Sequence, residues 1–116
     1  MQTDEVSNSL NMMNTKKVIQ QRLEEYYPAD GKVFLFGSRA RGEATKDSDW
    51  DILMLINKPG HVTDADYNKY AYPLVELGLS INQQIHPLLY TFKDWEKRSF
   101  TPFYENVTKE SVALCH

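Results

Sequence analysis

Cysteine is nearly absent from this chain. Cys115 stands alone beside the C-terminus, so no intrachain disulfide framework exists, and that usage fits a reducing compartment. A secretory leader is missing too: Met1 is followed by Gln, Thr, Asp and Glu, with neither the basic nor the apolar region of a signal peptide. No apolar run approaches the roughly 18 residues needed to span a bilayer. A cationic surplus is lacking as well. Thirteen Lys and Arg stand against 16 Asp and Glu, a formal net charge of -3. That balance argues against non-specific binding to a nucleic-acid backbone, which needs a clustered cationic face, but it is compatible with a single nucleotide held through a metal ion. Repeats, low-complexity tracts and internal linkers are also absent. The expectation is a soluble, cytoplasmic domain with no membrane contact.

What is present is ordinary for a globular fold: 116 residues, 41% apolar and 25% charged. This length supports one core but not two, so residues 1–116 read as a single domain. Seven Tyr, five Phe and two Trp promise a substantial core whose phenol hydroxyls need partners. Residues 1–9 are polar and are expected to be flexible. Leu10, Met13, Ile19, Leu23 and Tyr26 follow roughly helical spacing, which predicts an amphipathic helix from about residue 8 to Tyr27. Pro28 and Asp30-Gly31 stop it.

Val33–Phe36 is a continuous apolar run, as expected of a strand buried on both faces. Gly37-Ser38 then opens a polar turn that can hold one helical turn through Arg41. A second strand is expected from Asp49 to Ile56, with Trp50, Ile52, Met54 and Ile56 on one face and Asp49, Asp51, Leu53 and Leu55 on the other. Beyond Asp51 both faces are apolar, which marks a central strand. Thr63 and Asp66 resemble a capping box, and Tyr67, Tyr70, Ala71, Leu74 and Leu77 continue a helical stripe as far as Gly78, a natural C-terminal cap. Pro73 predicts a kink inside it. Ile81–Tyr90 reads as a strand that Pro87 confines to an edge or a bulge. Thr91 can cap a short helix containing Trp95, Pro102 can start another, and Val112–Leu114 can close the sheet. The order predicts an α+β fold, a small mixed β-sheet flanked by helices.

The chemistry is concentrated between the first two strands. Asp49 and Asp51 leave one strand face about 6–7 Å apart. Two like charges so placed repel unless water or a cation compensates, and Mg²⁺ is commonly held by one or two carboxylates with substrate phosphates completing its shell. Gly37 ends a buried strand, and backbone amides beginning at Ser38 can cradle a phosphate that glycine allows to come close. Together these residues have the layout of a nucleoside triphosphate site. Other motifs fail on named residues. Asp47, Asp49 and Asp51 imitate an EF-hand loop, but its sixth position is Ile52 and its twelfth is Lys58. Gly37–Gly42 lacks the middle glycine of a dinucleotide fingerprint and the Gly-Lys-Ser/Thr ending of a P-loop. Arg39 and Arg41 with Lys46 are outnumbered locally by Glu43, Asp47, Asp49 and Asp51, a poor balance for RNA. Neither His61, in a Pro-Gly loop, nor the terminal His116 has metal-ligand spacing, and both read as solvated. Trp50, Tyr67 and Tyr70 read as core.

Gly37-Ser38-Arg39-Ala40-Arg41-Gly42 followed by Ser48-Asp49-Trp50-Asp51-Ile52 resembles the signature of the minimal nucleotidyltransferase family, the antitoxin-type branch of the DNA polymerase β-like superfamily. The resemblance covers about residues 15–114. It implies transfer of a nucleoside monophosphate from an NTP, ATP foremost, to a hydroxyl acceptor, with one or two Mg²⁺ ions. By position, Gly37, Ser38, Arg39 and Arg41 would contact the nucleotide, although the two arginines can equally be structural, and Asp49 and Asp51 would be the catalytic metal ligands. It also implies a partner: a helical HEPN-type protein, modified as in a toxin–antitoxin pair, or a second copy of the chain.

One departure limits this. The family places a third carboxylate on the next strand, whereas Ile81–Tyr90 reads INQQIHPLLY and holds no acid. Gln84 and His86, expected on one strand face, are its nearest polar substitutes. A histidine can serve as a base near neutral pH, but a hydrogen-bonded strand histidine is the simpler reading. Glu76, Asp94 and Glu105 could replace the acid only if the fold brought one to the site. The alternative function is a catalytically impaired NTP- and metal-binding module that acts on its partner by contact.

Overall fold

Nothing between residue 3 and Pro28 breaks a helix, and none of these residues is Gly or Pro. Helix α1 accordingly runs Thr3–Tyr26, starting earlier than about residue 8 because propensity continues where apolar periodicity does not. The structure, a computed structural model, describes residues 3–115, with side chains from Asn11 onward; Leu10's side chain and His116 lie outside the described residues. The buried stripe of α1 is Ile19 and Leu23, continued by Tyr27 just past the helix end, with Met12, Val18 and Tyr26 packed beside it. Met13 is 56% exposed and is not part of the stripe. Met12, seven residues before Ile19, takes its place, two helical turns along the same face.

Four strands form one mixed sheet: β1 (Lys32–Phe36), β2 (Trp50–Ile56), β3 (Ile85–Thr91) and β4 (Val112–Cys115), in the order β3-β2-β1-β4. β1 pairs antiparallel with β2 and β4, while β2 and β3 are parallel. The central strand β2 alternates as predicted. Trp50, Ile52, Met54 and Ile56 join the core shared with Ile19 and Leu23 of α1. Leu53 and Leu55 face a second core with Phe36, Trp95 and Val107. The deeper phenols are satisfied: Tyr27 donates to the Leu55 carbonyl at 2.8 Å, and Tyr26 to that of Tyr70 at 2.6 Å. Burial pushes both hydroxyls above their ordinary pKa.

A parallel neighbour requires a crossover. It is built from α3 (Asp64–Asp66), a π-helical turn (Tyr67–Ala71) and α4 (Tyr72–Ser80). Thr63 and Asp66 form the expected capping box. The irregularity falls ahead of Pro73 rather than at it. Proline has no N–H and its ring presses on the carbonyl four residues back, here that of Lys69, which the wider π turn accommodates. Tyr67 is exposed there, not core, and Tyr70 is half-buried.

Gly78 does not cap the helix, which continues to Ser80. A Cβ on this buried residue would lie 2.6 Å from the Gln83 carbonyl oxygen and 3.1 Å from Ile85 Cγ1, so glycine is required by close approach. The left-handed residue of the turn is Asn82, with φ 57°. Residues 81–84 are therefore turn rather than strand.

Pro87 sits on the edge strand β3, as its missing donor requires. Thr91 and Thr101 cap α5 (Phe92–Glu96) and α6 (Pro102–Glu110), each accepting a backbone N–H three residues on. His61 is not simply solvated: its Nδ1 lies 2.7 Å from Asp94 Oδ2, which ties the loop after β2 to α5. That contact holds Asp94 below the usual carboxylate range. Among the described residues no helix is long and apolar enough to cross a membrane.

Gly78→Ala is expected to destabilise the protein by about 1–3 kcal/mol through overpacking against the Gln83 carbonyl. Urea denaturation measures this; an unchanged midpoint would mean that the turn yields freely.

Candidate active site

The site begins where β1 ends. Phe36 pairs with Asp51 across the antiparallel ladder, so Gly37 is carried directly against the Asp51 carboxylate. Gly37 has φ 76° and ψ -159°, a conformation open essentially to glycine alone. A Cβ there would also overlap Asp51 Oδ2. From Gly37 the chain turns into α2 (Ser38–Arg41), closed by the amides of Ala40 and Arg41 donating to the Gly37 carbonyl, both at 3.1 Å. The amides of Ser38 and Arg39 come before the first such bond and are left without intrahelical partners.

Asp49 immediately precedes β2, and Asp51 is its second residue. By strand alternation their side chains leave the sheet on the Leu53–Leu55 face, opposite Trp50, which is fully buried. Burial raises the Asp51 carboxyl above its ordinary pKa, and Asp49 adds to this; His86 and Arg41 oppose the shift, while Glu110 reinforces it. Among the described residues, neither carboxylate accepts a hydrogen bond within 3.5 Å from a backbone or hydroxyl donor.

The two arginines separate in role. Arg39 is buried, donates from Nε and Nη2 to the Ser48 carbonyl at 3.2 and 2.7 Å, and lies 4.5 Å over the Trp50 ring. Its guanidinium is thereby committed to holding the loop that delivers Asp49, the structural alternative left open by the sequence. Burial lowers its pKa, partly offset by Asp49. Arg41 is exposed and bonds Glu43, and Glu110 at 2.7 Å.

On the third strand, His86 is in register with Asp51, and its Nδ1 lies 3.5 Å from Asp49 Oδ2. Gln84 precedes β3 instead of sharing its face, and its carbonyl accepts the Trp50 N–H at 2.8 Å. None of the three acids considered as replacements joins the pair: Glu76 is exposed on α4, Asp94 is engaged by His61, and Glu105 pairs with Lys109. The acid that does come close is Glu110, which the sequence reading missed. Its signal was electrostatic. A carboxylate at the last position of a helix opposes the helix dipole, and here Arg41 compensates it. A polar depression of about 460 Å³ adjoins the β3 side, lined by Lys46, Asp47, Ser48, Asn82, Gln83 and Gln84.

A glycine turn against a repelling carboxylate pair, on a mixed α+β sheet, is a centre suited to phosphates carried with a divalent cation. The family model described as "Nucleotidyltransferase domain" matches residues 16–114, and the chain belongs to that family. A curated relative from Methanocaldococcus jannaschii, named "Putative protein adenylyltransferase MJ0604", is 29% identical over 106 residues, covering 88% of this chain and 99% of the relative. Two solved structures share the fold, each with a TM-score of 0.53. One is a toxin–antitoxin complex with AMP-PNP, 19% identical, covering 86% of this chain and 70% of that one. The other is a mutant of the toxin–antitoxin pair MntA–HpeT, 16% identical, covering 85% and 70%.

Asp51→Asn is expected to raise the melting temperature of the metal-free protein at neutral pH. The sign follows from the raised folded-state pKa: the ionised carboxylate burdens the fold as pH rises from the unfolded toward the folded pKa, and that burden is absent in acid. Thermal melts across pH should therefore show the variant's advantage at neutral pH and not in acid.

Proposed function

We propose that this chain transfers a nucleoside monophosphate from an NTP, with ATP the first choice, to a hydroxyl group on a partner protein. The observation that carries the reading is the contact of Gly37 with Asp51: a backbone with no side chain lies against a half-buried carboxylate beside a second one. Phosphates placed on the Ser38 and Arg39 amides and the Ser38 hydroxyl would then adjoin Asp49 and Asp51. The donor set suits Mg²⁺, which takes one or two carboxylates and completes its shell with substrate phosphates. Among the described residues no closed group of three or more His, Cys, Asp or Glu could hold a metal by itself, which agrees with an ion arriving with its nucleotide. When bound, such an ion would neutralise charge on the transferring phosphate and polarise it.

The chain's own residues supply the rest. Gly37 and Ser38 seat the phosphates that leave, and Arg41, next to the site, balances part of their charge. An in-line displacement would bring the acceptor from the side opposite the leaving group, and the exposed His86 beside Asp49 makes β3 the side we assign to it. The acceptor oxygen bonds to the α-phosphorus, the bond to the β-phosphate oxygen breaks, and pyrophosphate departs. His86 takes the acceptor's proton, since its imidazole is exposed beside Asp49 and no acid stands on β3. A protein acceptor is favoured because a domain this small offers little to enclose one, and because the curated relative is named as a protein adenylyltransferase. A helical HEPN-type partner, as in toxin–antitoxin pairs, is the first candidate, and a cytoplasmic location fits the substrate.

The missing third carboxylate favours a second reading, an NTP-holding module that acts on its partner by contact alone. Incubation with α-labelled ATP, Mg²⁺ and the partner separates the two. Label on the partner, falling by at least about 100-fold in Asp49→Ala and Asp51→Ala, is expected. Partner binding without label transfer, indifferent to both substitutions, would replace the first reading with the second.

A further inference from the structure

The Gly37–Asp51 site is polar and suited to phosphates, whereas a nucleotide also carries an aromatic base. Helix α6 offers the surface for it. Both ends of this helix are fixed against site elements: Glu110 bonds Arg41 at 2.7 Å, and the Phe103 ring stands edge-on to Phe36 with centroids 5.8 Å apart and an interplanar angle of 82°. Phe36 is the residue paired with Asp51, so the two side chains leave the same sheet face. One edge of α6, running from Phe103 past Asn106 to Glu110 at helical spacing, therefore borders the site.

Phe103 is unlike its neighbours in this cluster. Trp95 and Val107 are 6% and 2% exposed, whereas Phe103 is 43% exposed. Its position is nevertheless fixed, because Trp95 packs against it at 88° with centroids 6.1 Å apart, opposite in role to Phe36 as a second buried aromatic support. Of the other exposed large apolar side chains among the described residues, Met13, Tyr67, Tyr72 and Leu79 belong to α1 and the crossover helices, Val112 to β4, and Phe100, 86% exposed, to the turn before α6. Phe103 is the one that touches the residue paired with a site carboxylate. A pinned, half-open ring one aromatic residue away from Asp51 is pre-organised to receive a planar base with little ordering of its own.

We propose that Phe103 is the stacking platform for the nucleobase of the bound NTP. This rests on the site reading above, and it adds a consequence: the base is held by its π-face, so different bases are accepted with affinities that follow stacking strength.

Titration calorimetry of the full chain in Mg²⁺, with ATP and with inorganic tripolyphosphate, tests the proposal. Phe103→Ala is expected to weaken ATP binding about fivefold or more, to leave tripolyphosphate binding unchanged, and to be rescued by Phe103→Trp. Equal ATP affinity in wild type and Phe103→Ala, with both ligands bound, would overturn the platform and leave the phosphate site standing. Equal losses for ATP and tripolyphosphate would also overturn it, because the ring would then be a structural support. Failure of the wild-type chain to bind either ligand would overturn both the platform and the site.

Discussion

The register of β1 on β2 is the constraint on which the rest depends. Phe36 opposite Asp51 places Gly37 at the carboxylate, and a slip of one residue would turn every side chain of one strand to the other face. The protein forbids that slip by burying both faces of β2. Trp50, Ile52, Met54 and Ile56 are committed to one core, Leu53 and Leu55 to the other. The hydrophobic pattern that makes β2 central is thus the same pattern that brings the glycine turn to the acids. Arg39 adds a second clamp by stacking on Trp50 and holding the Ser48 carbonyl, so the segment entering β2 is fixed just before Asp49.

On the proposed reading, the charges around this junction are the reason a cation would accompany the nucleotide. Asp49 and Asp51 repel, and Glu110 adds to the field at Asp51. Of the nearby arginines, Arg39 is turned into the core and Arg41 is shared between Glu43 and Glu110. A triphosphate entering without a counterion would meet both acids and Glu110, with Arg41, itself shared with two glutamates, offsetting only part of the charge. A divalent ion travelling with the phosphates would offset both that repulsion and the repulsion between the two acids. Glu110 also has a partner at an otherwise unfavourable helix end: it holds Arg41 beside the site.

Much of this was legible in the residues, and what was not shares one cause. Strand alternation gave the faces of β2, the Thr63–Asp66 box and the threonines before α5 and α6 gave helix starts, and Pro87 gave the edge strand. All are local signals, readable within a few residues. Gly78, His61 and Glu110 were misread or missed because each is explained by a partner distant in the fold or across a turn: the Gln83 carbonyl, Asp94 and Arg41. Gln84 shows the same limit at shorter range. Residues 81–84 have a composition that suits a strand, but the close approach of the chain at Gly78 makes them a turn. The two arginines of the Gly37–Gly42 segment could not be told apart by sequence, since only packing against Trp50 distinguishes them.

The third strand then decides how this site differs from one with three acids. Parallel pairing aligns His86 with Asp51 and brings its imidazole within 3.5 Å of Asp49, on a strand that holds no acid. A third carboxylate would add negative charge and could bridge a second ion. An imidazole adds no negative charge, which would weaken the hold on a second cation. On the proposed reading, the roles usually combined in one carboxylate are therefore divided: charge and metal fall to Asp49 and Asp51, and proton acceptance falls to His86. Such a site would depend more on how an acceptor presents its hydroxyl than on a preformed metal cage.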